Sequence, residues 1–144
     1  MLATGFNHID AERAFVRAAR ARRRASLVGR LRRGRGVRSR LPVYDGRQIA
    51  PGRTAARRGI REIPIAAIRG TTEPARSDQF DADFRPARVA RTRWERVWLA
   101  EVQGAVLPPV SVVPVGDGYA LRDGHHRVSV ARARGALTID ATMG

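Results

Sequence analysis

The chain has 144 residues, 43% of them hydrophobic, and a formal net charge of +15 in which every one of the 28 basic residues is arginine. That is enough for one domain of ordinary size, and no apolar run approaches the roughly 18 residues a membrane span needs, so no membrane partner is expected. The absence of cysteine excludes disulfides, thiolate metal sites and cysteine catalysis, and three histidines, only two of them adjacent, argue against a zinc site built from protein ligands alone.

The charge is unevenly placed. Residues 1–61 hold 17 arginines against Asp10, Glu12 and Asp45, whereas residues 62–144 hold 11 arginines against 10 acids. The contrast predicts a basic N-terminal helix and Gly/Pro/Arg-rich linker over 1–59, followed by a small mixed-sheet α/β (α+β) domain over 60–144. Any general attraction to DNA or another polyanion belongs to the first part. Arginine suits phosphate recognition, although a GC-rich coding sequence yields the same bias.

In chain order, residues 9–33 read as a helix capped by Asp10, with Glu12 also near its positive end. Phe15, Val16, Ala19, Leu27, Val28 and Leu31 form a thin apolar stripe, weakest at 20–25, where fraying is expected. Arg20, Arg22, Arg23, Arg24, Arg32 and Arg33 are the candidate nucleic-acid contacts; the alternative is a solvated basic face, or one that pairs with an acidic partner. Residues 34–59 have the composition of a linker, with Leu41-Pro-Val-Tyr44 as an extended piece able to dock on the domain. A strand over 61–68 carries Ile63, Ile65 and Ile68, and leads into a turn at Arg69-Gly70. A polar loop over 78–84 holds Phe80 and Phe84 as anchors. Pro86 opens a helix at its first turn, with Val89, Trp94, Val97, Trp98 and Val102 on its buried face and Gly104 at its end. Both tryptophans read as core rather than base-stacking residues. A strand at 110–113, a Gly116-Asp-Gly118 turn, a strand at 119–122, a helix at 125–134 and a last strand at 137–142 complete the domain. So small a core is modest, and docking of the N-terminal segment or homodimerisation would supplement it.

The strand–turn–helix at Asp123-Gly-His-His-Arg127 is where spacing, polarity and backbone geometry point to a ligand. Gly124 permits a sharp turn and close approach, and the N–H groups opening the helix suit a phosphate. Gly124, His125, His126 and Arg127 are the candidate phosphate-binding residues, with Arg127 able to make a bidentate contact. Asp123, His125 and His126 are the candidates for acid–base chemistry. The competing reading is purely structural, with Asp123 as an N-cap, His126 as a core residue and Arg127 paired with a nearby acid.

Residues Leu107 to Gly135, read with Ile63-Pro-Ile-Ala-Ala-Ile68 as an opening strand, resemble the ParB/sulfiredoxin superfamily, of the type labelled ParB-like nuclease domain. The family pattern is an opening strand, a hairpin, a Gly-X-His-Arg or Gly-X-Arg-Arg turn and an alanine-rich helix. The resemblance spans about residues 60–142 and is strongest over 107–135. Asp81-Ala-Asp-Phe-Arg-Pro86 and Arg93-Trp94 also resemble ParB-like proteins of undefined role. The family implies a nucleotide at the turn: CTP in partition proteins, ATP in sulfiredoxins, and a phosphoryl donor in a free-serine kinase branch.

What the resemblance implies here is a nucleoside triphosphate, CTP or ATP with Mg, held at Gly124, His125, His126 and Arg127. NTP hydrolysis, phosphoryl transfer or nuclease activity follows from resemblance alone, as do a role in chromosome or plasmid partitioning and a cytoplasmic, nucleoid-associated location. Sulfiredoxin chemistry is excluded, since the turn has no cysteine. No helix-turn-helix module is visible, and a second phosphate loop is open between Arg69-Gly-Thr-Thr-Glu73 and no such loop at all. A non-enzymatic nucleic-acid-binding or interaction protein with a vestigial nucleotide site is the alternative.

Overall fold

The computed structural model describes residues 4–33, 40–49 and 59–143, so the linker expectations at 34–39 and 50–58 lie outside the described residues. Helix α1 spans Thr4–Arg33. It is followed by β1 (Ile60–Pro64), β2 (Ile68–Thr71), α2 (Arg91–Val102), β3 (Val110–Val115), β4 (Gly118–Asp123), α3 (His125–Ala133) and β5 (Thr138–Met143). The five strands form one mixed sheet in the order β1-β5-β3-β4-β2. The β3–β4 hairpin and the β1–β5 pair are antiparallel, while β2 runs parallel to β4 and β5 parallel to β3. The protein is an α+β fold.

The stretch expected as a single strand over 61–68 is two strands joined by a 3-10 turn at Ile65–Ala67. Those strands occupy opposite edges of the sheet. The four Cα steps from Pro64 to Ile68 reach at most about 14 Å, whereas five flat strands would set the edges about 19 Å apart. The sheet therefore curls toward closure at that end. Ile63, Ile65 and Ile68 are all buried, which is why the isoleucine spacing read as one strand.

One face of the sheet carries the main core. Trp94 is wholly buried there, with Phe80, Phe84, Val110, Val112, Leu121, Val128 and Val130. α1 docks on α2 through Phe15, whose ring meets Trp94 edge-on at 5.6 Å. The Arg91 guanidinium lies 5.4 Å from the Phe15 ring centroid, a cation–π contact that covers the joint. Ser129 pins three elements: Trp94 Nε1–H donates to its hydroxyl at 2.9 Å, and that hydroxyl donates to the Phe84 carbonyl. The Asp81 carboxylate, 1% exposed, accepts the backbone N–H groups of Asp83 and Arg85 and shapes the loop ahead of α2.

The other face is covered by residues 40–49. Tyr44 and Ile49 pack on Val113, Val115 and Ala120, and Val43 pairs with Thr71 at the β2 edge. Leu41 reaches the main core and is 1% exposed, so the docking expected of this piece occurs. The approach is close: a Cβ on Gly70 would lie 2.2 Å from the Pro42 carbonyl oxygen. Only glycine fits.

Several boundaries differ from expectation. α1 begins before Asp10, which sits in its second turn and caps nothing, and the helix runs unbroken through 20–25. Pro86 does not open α2: it bridges to Phe80, and a 3-10 turn at Arg88–Ala90 intervenes. Val89 falls in that turn, outside the period of α2, and is 74% exposed rather than buried. Among the described residues, no helix is long and apolar enough to cross a membrane.

Candidate functional site

β4 ends on Asp123, the chain turns at Gly124 with φ of 102°, and α3 starts at His125. Gly124 is the N-cap and no side chain caps the helix, so Asp123 is not the cap expected of it. A Cβ on Gly124 would meet Val110 Cγ1 at 2.5 Å. Close approach at this glycine is thus made by β3 and the positive φ, two structural demands that sequence cannot separate from a ligand's. The Val128 N–H returns to the Gly124 carbonyl at 3.0 Å, leaving the N–H groups of His125, His126 and Arg127 without a backbone or side-chain acceptor among the described residues.

The two histidines differ. His125, 3% exposed, stacks on Phe80 and places Nε2 2.7 Å from the Thr71 hydroxyl. That hydroxyl also lies 3.1 Å from the Leu121 carbonyl, to which it donates, and it accepts the Glu73 N–H at 2.9 Å. With its one proton committed to Leu121, Thr71 accepts from His125, which is thereby held as the Nε2–H tautomer. Burial, with the Arg76 and His126 charges behind it, lowers the His125 pKa to about 4 despite the opposing Asp123 carboxylate. His126 is 8% exposed, sits edge-on to Phe80 at 5.2 Å, and has no side-chain hydrogen-bond partner among the described residues. Burial first, then Arg76 and Arg93, lowers its pKa to about 4. Both rings are neutral at pH 7, so neither carries an imidazolium proton to give as an acid there.

Arg127 is engaged within the fold. Its Nη1 donates to the Pro108 carbonyl and, at 3.1 Å, to that of Pro109; Nη2 pairs with Asp123 Oδ2 at 3.3 Å. It braces the lead-in to β3 against the helix start, and the side chain is 16% exposed. The competing expectation of an Arg127–acid pair is what this geometry displays, and it leaves Asp123 exposed at the rim.

Three residues near the turn escaped the sequence reading of the helix start. Arg76 and Arg93 come from other elements, and their charges act on the histidines. Thr71 lies in the 69–73 turn, already a candidate second loop, and the structure sets that turn beside α3 through Thr71–His125 and through Thr72 N–H to the Leu121 carbonyl at 2.9 Å. A run of small polar residues after a glycine was the only signal. Among the described residues no group of three His, Asp or Glu side chains could hold a metal ion, so magnesium here would depend on the oxygens of a bound triphosphate.

On α1, Arg20, Arg23, Arg24 and Arg32 are exposed and have no ion-pair partner among the described residues. Arg13, Arg17, Arg20 and Arg24 recur at helical spacing and form one exposed stripe, away from the buried Ala11 and Phe15, with Arg13 and Arg17 at the edge that borders the domain. Arg22 is different: it is half-buried toward the domain, and its Nε is buried without a partner. The Arg33 side chain lies outside the described residues.

Fold and turn together define a small α+β domain with a strand–glycine–helix junction walled by buried imidazoles. No protein-family model matches the chain, and no curated protein matches it.

Proposed function

We propose that the chain is a ParB/sulfiredoxin-like domain that binds the phosphates of a nucleotide, CTP or ATP with Mg, at the start of α3. The observation that supports this most is the convergence of three N–H groups at 125–127, unpaired among the described residues, with the largely buried His126 ring, which has no side-chain hydrogen-bond partner among them either. Arg76 and Arg93 supply positive charge, and the positive helix end adds to it. A neutral His126 donates one N–H to a phosphate oxygen, and anion binding raises its pKa. Arg127 holds the junction in shape rather than meeting the phosphate first.

A thermal-shift panel with CTP, ATP, GTP and inorganic phosphate, with and without magnesium, tests the reading. A ligand at about 100-fold over its Kd stabilises by about 2.7 kcal/mol, which for a chain of this size raises Tm by on the order of 10 °C. Arg93→Glu, at an exposed position, should remove the shift while leaving the ligand-free Tm in place. No shift with any nucleotide at millimolar concentration would refute the reading.

A second reading, DNA association through α1, is supported by Arg20, Arg23, Arg24 and Arg32, which are exposed and have no ion-pair partner among the described residues. Contact with about five phosphates gives a log–log salt slope near −4 to −5. Arg20→Glu/Arg24→Glu should flatten it; an unchanged slope would count against α1 as the contact.

A further inference from the structure

An open cleft of about 740 Å³ lies between α1, the end of α2, the 83–86 loop and the C-terminal half of α3. None of residues 123–127 lines it, so it is separate from the helix start discussed above. Its size is in the range of ordinary ligand sites. The floor is apolar, made by Ala18, Pro86, Trp98 and Val102, and the α1 wall presents Arg13 and Arg17, one helical turn apart. Both arginines are exposed and lack a carboxylate partner among the described residues.

The opposite wall is already neutralised. Asp83 accepts from Arg85 at 3.1 Å and from Arg132 at 3.4 Å, and Arg134 pairs with Glu101 at 2.9 Å. The lining as a whole has five arginines against Asp10 and Asp83. Complementarity therefore calls for an anionic occupant. Neither the stretches 34–39 and 50–58, which contain arginines and no acid, nor a second copy, which carries +15, matches that demand. A phosphodiester backbone would meet Asp10 and would leave the apolar floor unused. A peptide brings carboxylates for Arg13 and Arg17, backbone N–H groups for Asp10 and a side chain for the floor.

We propose that this cleft binds an acidic peptide segment of a partner protein, its carboxylates on Arg13 and Arg17 and one bulky apolar side chain against Trp98 and Val102. The assignment is independent of the nucleotide reading. It is tested on the full chain by fluorescence anisotropy with a fluorescein-labelled peptide in which glutamates flank a single leucine, beside a version with glycine for leucine and an oligothymidylate of equal charge. The leucine peptide should bind, and Arg13→Glu/Arg17→Glu should weaken it about tenfold or more, about 1.4 kcal/mol. The equal charge change Arg23→Glu/Arg30→Glu, elsewhere on α1, should leave most of the affinity. Binding should also shift tryptophan emission through Trp98, and Trp98→Phe should abolish that shift, because Trp94 is sealed in the core. The proposal is overturned if no peptide binds at millimolar concentration, if the glycine peptide binds equally, or if both double variants lose the same affinity. An oligothymidylate that gives the same Trp98 response with the same dependence on Arg13 and Arg17 would also overturn it.

Discussion

Arginines of α1 and six arginines of the sheet domain share a side chain and do opposite things. After residue 60, Arg69, Arg85, Arg91, Arg127, Arg132 and Arg134 each hold a carboxylate, and most of these pairs tie one element to another or brace a loop. On α1, Arg13, Arg17, Arg20, Arg23, Arg24, Arg30 and Arg32 hold none among the described residues. The first set is fastening and the second is field. A net charge of +15 thus overstates how much of the molecule can attract a polyanion, and it understates how concentrated that attraction is along one helix.

Four measurements put this contrast to the test. The largest effect is expected from pH at the α3 start. Both histidines have folded pKa values near 4, below the ordinary 6.5. The unfolded chain therefore binds more protons between those values, and stability is complete above pH 6.5 and is lost as pH falls toward 4. The loss should be on the order of several kcal/mol, read by urea unfolding across that window, and His126→Phe should remove a large part of it. Next, Gly124→Ala forces a Cβ against Val110 at positive φ and should cost roughly 2–4 kcal/mol. Arg127→Ala removes the brace on Pro108 and Pro109 and should cost about 1.5–3 kcal/mol. Arg20→Ala, by contrast, should change stability by less than about 0.5 kcal/mol. If Arg20→Ala proved as costly as Arg127→Ala, the division between fastening and field would fail.

The hairpin, the last helix and the closing strand were legible because alternation and turn residues act locally. Val110 and Val112 facing one way and Val113 and Val115 the other is a period-two signal that survives in the fold. α2 was legible from Trp94 and Trp98 on one face, but its start was not. The Pro86 that sequence assigns to a first helical turn is claimed instead by a bridge to Phe80. The break between β1 and β2 was hidden because a curled sheet buries Ile63, Ile65 and Ile68 alike. At the candidate site the glycine turn and the exposed helix start could be read directly. The roles of His125 and Arg127 could not, since Thr71 is 54 residues from His125 and Pro108 is 19 from Arg127. Arg127 serves the fold, while His126 and the amides of 125–127 have no partner among the described residues.

The single hydroxyl of Thr71 has a spectroscopic consequence. Because it can release only one proton, and that one goes to Leu121, the His125 ring must keep hydrogen on Nε2 in a place solvent scarcely reaches. At neutral pH that ring proton should appear as a slowly exchanging downfield resonance, a natural reporter sitting between the edge strand and the helix it helps to seat.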